Sequence, residues 1–392
     1  MITRVYEDLH RHPELSGQEQ RTAGIVALTL RGLGIEVHEG IGGYGLAGVL
    51  RNGDGPTVLL RADMDALPVQ EQTGLPYASQ SPGVMHACGH DLHTACLMAA
   101  ADELCQTSAQ WSGTVVFCFQ PAEETVSGAQ AMVDDGLYDR VPSPDVVLGQ
   151  HVSPLPAGII GLRPGAAFAS SDCIRITLYG RGGHGSRPEA CIDPVVMAAA
   201  VVMRLQTIVS REVAGSQTAV VTVGCIQAGT KANIIPDLAS ILVNVRSYDP
   251  AVRTQILTAI ERIARAEATA SGAPREPDFR RYESAPTAVN DPDACHRTQT
   301  ALSTLGPVVD PGPVTGSEDV GVLASAADAP LVYWLLGGAD PALFADATSI
   351  DEIAAVVAGL PSNHSPVYAP IPQPTLDNGV KALVAAARAW LA

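Results

Sequence analysis

The nine residues Met85-His86-Ala87-Cys88-Gly89-His90-Asp91-Leu92-His93 carry a thiol, three imidazoles and a carboxylate. A thiolate and neutral imidazoles are the side chains that bind zinc-like divalent ions best. Cys88 and His90 stand two apart, so an extended backbone would point both the same way, toward one ion. A polar loop with a chance histidine cluster is the competing reading. Three apolar runs elsewhere argue against it, because each stops at residues of ligand type. Thr57-Val58-Leu59-Leu60-Arg61-Ala62 ends in Asp63-Met64-Asp65, and Thr114-Val115-Val116-Phe117-Cys118-Phe119 leads through Gln120-Pro121-Ala122 to Glu123-Glu124. Asp145-Val146-Val147-Leu148-Gly149-Gln150 ends at His151.

The elements that must position these residues are strands. Continuous β-branched and aliphatic runs suit strands buried on both faces, as in parallel sheets. Sites in such sheets lie beyond the carboxyl ends of the strands. Three runs would therefore deliver carboxylates and an imidazole to one edge. Helices are expected through Glu7, over about Glu19–Gly32 and over about Asp91–Gln106, and their alternation with strands up to His151 is an α/β signature. Near Ser171 the texture changes. Asp172 to Tyr179 alternates polar and apolar, and the element order from there reads βαββαβ. We expect an inserted α+β, ferredoxin-like domain over residues 173–284. Residues 1–172 and 285–392 would then form a discontinuous metallopeptidase-type α/β domain with a mostly parallel central sheet.

At 392 residues the chain is long enough for two or three domains, and 46% apolar residues suffice for ordinary cores. A formal net charge of −17 argues against nucleic acid and anionic membrane surfaces as partners, so an anionic substrate must be met by a local Arg or Lys. No apolar run reaches the roughly 18 residues of a membrane helix. The first eight residues are charged and amphipathic with no secretory core, so a cytoplasmic protein is expected. The eight cysteines form no Cys-x-x-Cys pair; Cys96, Cys105, Cys118, Cys173 and Cys225 sit in apolar runs and read as buried small hydrophobes, and only Cys88 has metal-site company. Gly40-Ile41-Gly42-Gly43-Tyr44-Gly45 matches the dinucleotide pattern, but Leu46 to Leu50 reads as a strand where that pattern needs a helix, so a hairpin-type loop is expected.

From about Leu9 to Asn378 the chain resembles the aminoacylase/carboxypeptidase family of two-metal amidohydrolases. The branch it looks most like contains hippurate hydrolases, plant auxin-conjugate hydrolases and bacterial N-acyl-amino-acid deacylases. The residues that carry the resemblance are His12-Pro13-Glu14-Leu15-Ser16, Arg61 to Pro68, Met85 to Asp91, Gln120 to Glu124 and His151. It continues in Gly182-Gly183-His184-Gly185-Ser186, Asn233-Ile234-Ile235-Pro236, Arg246, Gly316-Ser317-Glu318-Asp319 and Asn363-His364-Ser365-Pro366. Two departures are Leu92, where the branch usually has Gly, and Val320, where an aromatic is common. Leu92 is expected to narrow the site or change an approach to it.

The resemblance implies metal ligands at Cys88, His90, Glu124, His151 and His364. It assigns Glu123 as general base, and Asp65 orients a ligand histidine. The extended backbone expected at Glu123-Glu124 would send the two carboxylates to opposite sides, which suits separate roles. His184 is implied to stabilise the oxyanion, often from the partner subunit. Asn233, Arg246 and Gly316 are implied to bind substrate, with the Arg246 fork gripping a carboxylate. His86 is expected to satisfy backbone groups and His93 to begin a helix, while His10, His12, His38 and His296 read as ordinary. The implied activity is hydrolysis of N-acyl amino acids (N-acetyl, N-benzoyl or related) by metal-activated water. Two divalent ions per subunit are expected, zinc or manganese, with cobalt or nickel as further options. A homodimer through residues 173–284 is implied. The alternatives are a dipeptidase or carboxypeptidase on the same centre, or a catalytically inactive metal-binding homologue.

Overall fold

A computed structural model describes residues 2–392, the side chain of Ile350 excepted. The chain divides into two compact units: Met1–Ala167, Val289–Pro313 and Asp319–Ala392 form one, and Phe168–Ala288 with Val314–Glu318 the other.

The first unit is built on an eight-stranded sheet. Thr57–Asp63 lies between Gly113–Gln120 and Val146–Pro156, parallel to both, and Leu331–Ala339 continues the parallel pairing beyond Val146–Pro156. The hairpin Glu36–Ile41 and Gly45–Asn52 adds an antiparallel edge. Its turn contains the Gly40–Gly45 pattern, and a strand rather than a helix comes after it, in line with the sequence. The runs Val58–Ala62 and Val115–Gln120 are buried throughout, which is why they read as unbroken apolar stretches. The helix His90–Gln106 packs against the sheet and the last helix, Pro372–Arg388, and twelve of its residues are buried. Gly379 allows the close approach of that last helix, since a Cβ there would meet Cys96 Sγ at 2.7 Å. The helix Ile350–Gly359 is not foreseen from sequence.

The second unit has the order βαββαβ. Its sheet runs Ala219–Ala228, Leu238–Ser247, Ser170–Tyr179, Asp278–Ala285, antiparallel throughout. The helices Pro194–Thr207 and Pro250–Ala270 cover one face, where Ile176, Val201, Ile241 and Ile260 are buried together. Both helices start at an Asp-Pro pair. The Asp193 carboxylate accepts from Val195 N–H, and that of Asp249 accepts from Ala251 and Val252 N–H. Proline at the first helical position has no N–H to leave unpaired. Pro194–Glu212 is the one segment among the described residues with the length and hydropathy of a membrane span. Met197, Val201, Leu205 and Ile208 from it are buried in this unit's core.

Candidate metal centre

Gly89 turns the chain from Cys88 into the helix His90–Gln106 with φ +88°, so the segment is not extended as the spacing suggests. The left-handed turn brings Cys88 and His90 together instead. Glycine is required there twice over, because a Cβ would also lie 2.3 Å from Val152 Cγ1. Glu123 and Glu124 also depart from the extended form. They sit in a tight turn in which Val126 N–H donates to Glu123 O at 2.6 Å, and Ala122 and Val126 both have positive φ. Both carboxylates consequently face one imidazole: His90 Nε2 lies 3.9 Å from Glu123 Oε2 and 3.8 Å from Glu124 Oε1. His151 comes from within the strand Val146–Pro156. His364, exposed and at φ +72°, is tied down by its N–H, which donates to Ala87 O at 2.7 Å. A β-carbon residue held at positive φ is a costly conformation that surrounding structure must impose.

These residues converge. Cys88 Sγ is 3.5 Å from His151 Nε2, and His364 Nε2 is 3.3 Å from Glu124 Oε2. Donor atoms of Cys88, His90 and His151 lie within 4.8 Å of one another, as do those of Cys88, Glu124 and His364. Cys88 is common to both trios. Their hydrogen bonds aim the rings. His90 Nδ1 is 3.2 Å from Asp65 Oδ1, which leaves Nε2 facing inward. His151 Nδ1 donates to the Val152 carbonyl at 2.8 Å, so its Nε2 keeps the lone pair. Asp65 is itself held by Ser16 Oγ at 2.7 Å and by the Glu124 N–H at 2.9 Å. His90 Nε2 and Glu124 Oε1 are buried and have no hydrogen-bond partner. Buried polar atoms are rarely left unpaired, and thiolate, imidazole and carboxylate together form a donor set for a divalent ion. The residues fit such an ion.

Electrostatics agree. Burial pushes the Glu124 carboxyl up to about 7, with Asp65 and Asp63 adding to the effect against His90. Burial opposes charge on His90, yet Asp63 and Asp65 outweigh it and hold the ring well above the usual histidine range. Burial also pushes the Cys88 thiol up, and lowers His151 strongly. The neighbouring carboxylates Asp63 and Asp65, which help to raise both groups, would also favour a cation at the same atoms.

Several residues differ from expectation. His86 does not satisfy backbone groups: neither ring nitrogen has a partner, and burial lowers its pKa to about 4. Leu92 is fully buried in the core of the first unit, so it lines no open approach, and Val320 is likewise buried. His10 is buried between Asp91, 2.6 Å away, and Glu71, 3.3 Å away. Sequence gives His93 no role in the site and marks Asp63 only as a ligand-type residue at a strand end, yet their side chains meet at 2.6 Å beside the imidazoles of His90 and His151. The signal is present, since His90 and His93 are three apart and share a helix face.

The remaining candidates lie in the second unit. His184 is in the short strand Gly183–His184, paired with Ile234–Ile235, and Gly185 N–H donates to Asn233 O at 2.9 Å. Ser186 N–H donates to His184 Nδ1 at 3.1 Å, which leaves the ring proton on Nε2. Arg246 donates from Nε to Asn244 Oδ1 at 3.1 Å and from its guanidinium to Thr315 O at 2.9 Å, next to Gly316.

Residues 59–363 match the model of peptidase family M20/M25/M40. The chain belongs to this family. As an M20 family member it is an amide hydrolase. It is 43% identical over 293 residues to hippurate hydrolase of Campylobacter jejuni, covering 74% of this chain and 75% of that one. It is 38% identical over 341 residues to thermostable carboxypeptidase 1 of Saccharolobus solfataricus, covering 86% and 85%. Among solved structures, a dinuclear metal-binding M20 peptidase of Bacillus subtilis aligns with TM-score 0.79 at 30% identity, over 98% of this chain and 97% of that one.

Proposed function

We propose that this M20 family member hydrolyses the amide bond of N-acyl amino acids at a centre of two divalent ions. Cys88, His90, Glu124, His151 and His364 would hold the ions. The observation that carries the reading is the pair of unpartnered atoms, His90 Nε2 and Glu124 Oε1, facing a thiol and two further imidazoles. The relative named for hippurate, an N-acylated glycine, supports the substrate class. Bound ions supply Lewis acidity that polarises the amide carbonyl and acidifies water. Glu123 takes the proton of the attacking water and returns it to the leaving nitrogen. Asp65 holds the His90 ring in register through Nδ1. His184 offers Nε2–H to the developing oxyanion. Arg246, kept in place by Asn244 and Thr315, grips the substrate carboxylate with Asn233, and Gly316 leaves room beside it.

The assembly we propose is a cytoplasmic homodimer through residues 173–284. Ala219–Ala228 is an edge strand carrying exposed Val220 and Ile226, and the helix packed beside it exposes Val195, Val196 and Met203. Unpaired apolar edges invite pairing with another copy. Residues 173–284 of the partner subunit would then provide its His184. Mixing His184→Ala with Glu123→Gln subunits under verified exchange should restore activity, because one site of the heterodimer carries neither defect. Mixtures that stay inactive would exclude the shared site.

A second reading is release of the C-terminal residue from peptides, which the relationship to a thermostable carboxypeptidase favours. A panel of N-acetyl, N-benzoyl and longer N-acyl amino acids, run beside di- and tripeptides on metal-reconstituted enzyme, separates the two. Higher kcat/KM for the N-acyl compounds is expected. Preference for peptides would transfer the assignment to the second reading, and no turnover of either would refute both.

A further inference from the structure

We infer that His93 is a positioning residue of the metal centre, and not a ligand: it ties Asp63 to the backbone at Val152 and so holds the imidazoles of His90 and His151 at their working separation. The inference rests on the proposed two-ion centre.

His93 lies in the first turn of the helix His90–Gln106 and is buried. Both of its ring nitrogens are engaged. Nδ1 lies 2.6 Å from Asp63 Oδ1, and Nε2 accepts from the Val152 N–H at 2.8 Å. A backbone amide can only donate, so Nε2 must offer its lone pair and the proton must sit on Nδ1. That arrangement suits a carboxylate on one side and an amide on the other, and leaves no lone pair for an ion. Asp63, His90 and His93 do have atoms close enough to suggest a ligand trio. The engagement of Nε2 by Val152 decides against it.

The rest of the network explains what the ring positions. Asp63 is anchored from behind by Arg61, whose Nη1 donates to Oδ2 at 2.7 Å. Arg61 is in turn held by Gln120 Oε1 at 2.9 Å and Asp319 Oδ1 at 3.2 Å, all buried. On the other side, Val152 carries three members of the site on its carbonyl: His151 Nδ1 at 2.8 Å, Asn363 Nδ2 at 3.4 Å and Tyr368 OH at 3.4 Å. The ring of His93 stacks on His90 with centroids 5.5 Å apart, and meets His151 edge-on at 4.7 Å. It therefore fills the space between two ligand rings while pinning the backbone that bears one of them. Groups bonded behind ligands in this way commonly affect metal affinity by about 10–100-fold.

Two substitutions divide the ring's two bonds. His93→Asn retains a donor at the Nδ1 position and loses the acceptor for Val152; His93→Gln reaches the Nε2 position and loses the donor to Asp63. Equilibrium dialysis against Zn²⁺ with a competing chelator should show each variant binding about 10–100-fold more weakly at unchanged stoichiometry. Asp63→Asn should do the same, and its double variant with His93→Gln should bind no more weakly than the worse single, because both break one connection. Thermal unfolding of the apo-proteins checks that folding survives; should one His93 variant fail to fold, the other and Asp63→Asn still carry the comparison. Loss of one full equivalent of metal would make His93 a ligand. Affinity within threefold of wild type, or single effects that multiply in the double variant, would make it packing alone. Cys88→Ser keeps the two readings apart: if it weakens metal binding while the His93 variants do not, only this inference fails, and if it does not, the metal centre itself is wrong.

Discussion

Two clusters of buried histidine and carboxylate meet at consecutive residues, His90 and Asp91, and they are built in opposite ways. In the first, Asp91 and Glu71 bracket His10, and each His10 nitrogen has a carboxylate partner. The cluster is closed: its charges answer one another, and it ties the first helix to the start of His90–Gln106. In the second, His90, His151, Glu124 and Cys88 turn acceptor atoms toward a common point, and two of those atoms have no partner. Residue types alone do not separate the clusters. What separates them is where the hydrogen bonds go. Bonds from Asp65 and Val152 take the outward nitrogens of His90 and His151 and leave the inward ones for something else.

The largest expected effect lies at the open cluster. Glu123→Gln should lower kcat at least about a hundredfold with metal retained, the low end for general acid–base catalysis. Glu124→Gln should lose metal affinity as well. Metal analysis beside turnover checks both, and the reverse pattern would exchange the two roles. A pH series sharpens the point. Glu124, raised to about 7, must shed its proton to bind an ion, so metal affinity should fall as pH drops through 7. Affinity flat from pH 8 to 5 would contradict this.

The closed cluster should respond to pH in the opposite direction, and in stability. Burial opposes charge on His10, but Asp91 and Glu71 outweigh it and raise its pKa from 6.5 to about 9. A raised folded-state pKa gives stability that is complete below 6.5 and lost as pH rises through 9. The difference corresponds to about 3 kcal/mol. Urea unfolding of wild type should show this loss between pH 6.5 and 9.5, and His10→Gln should flatten it. An unchanged slope in the variant would remove His10 as its source. The smallest effect belongs to the surface, where Arg262→Gln removes the exposed pair with Glu212. It should alter unfolding free energy by less than about 1 kcal/mol.

Much of this architecture is legible in residue order alone. The buried runs at Val58, Val115 and Val146 announce parallel strands, and the alternation from Asp172 announces a half-exposed one. The ligand types at Cys88, His90, Glu124 and His151 stand out because each follows such a run or cluster. Local backbone does not read through. The turn at Gly89 depends on a left-handed glycine packed against Val152, and that at Ala122 to Val126 on left-handed residues at both ends, conformations that spacing does not express. Nor do the roles of His10 and His93, whose partners Asp91 and Asp63 lie 81 and 30 residues away. A histidine's tautomer is set by its neighbours in space, and these neighbours are distant in sequence. Leu92 shows the converse, since a residue beside the cluster in sequence belongs to the core in space.

The proposed chemistry stands or falls on the open cluster taking up a divalent ion through Cys88. Titration of apo-protein with Co²⁺, followed by absorption, reads this directly because a thiolate ligand gives an intense near-ultraviolet charge-transfer band. The band should saturate in wild type and in His10→Gln, and be lost in Cys88→Ser, although seven other cysteines remain. Absence of the band in folded wild-type protein, or its persistence in Cys88→Ser, would contradict the proposed metal centre.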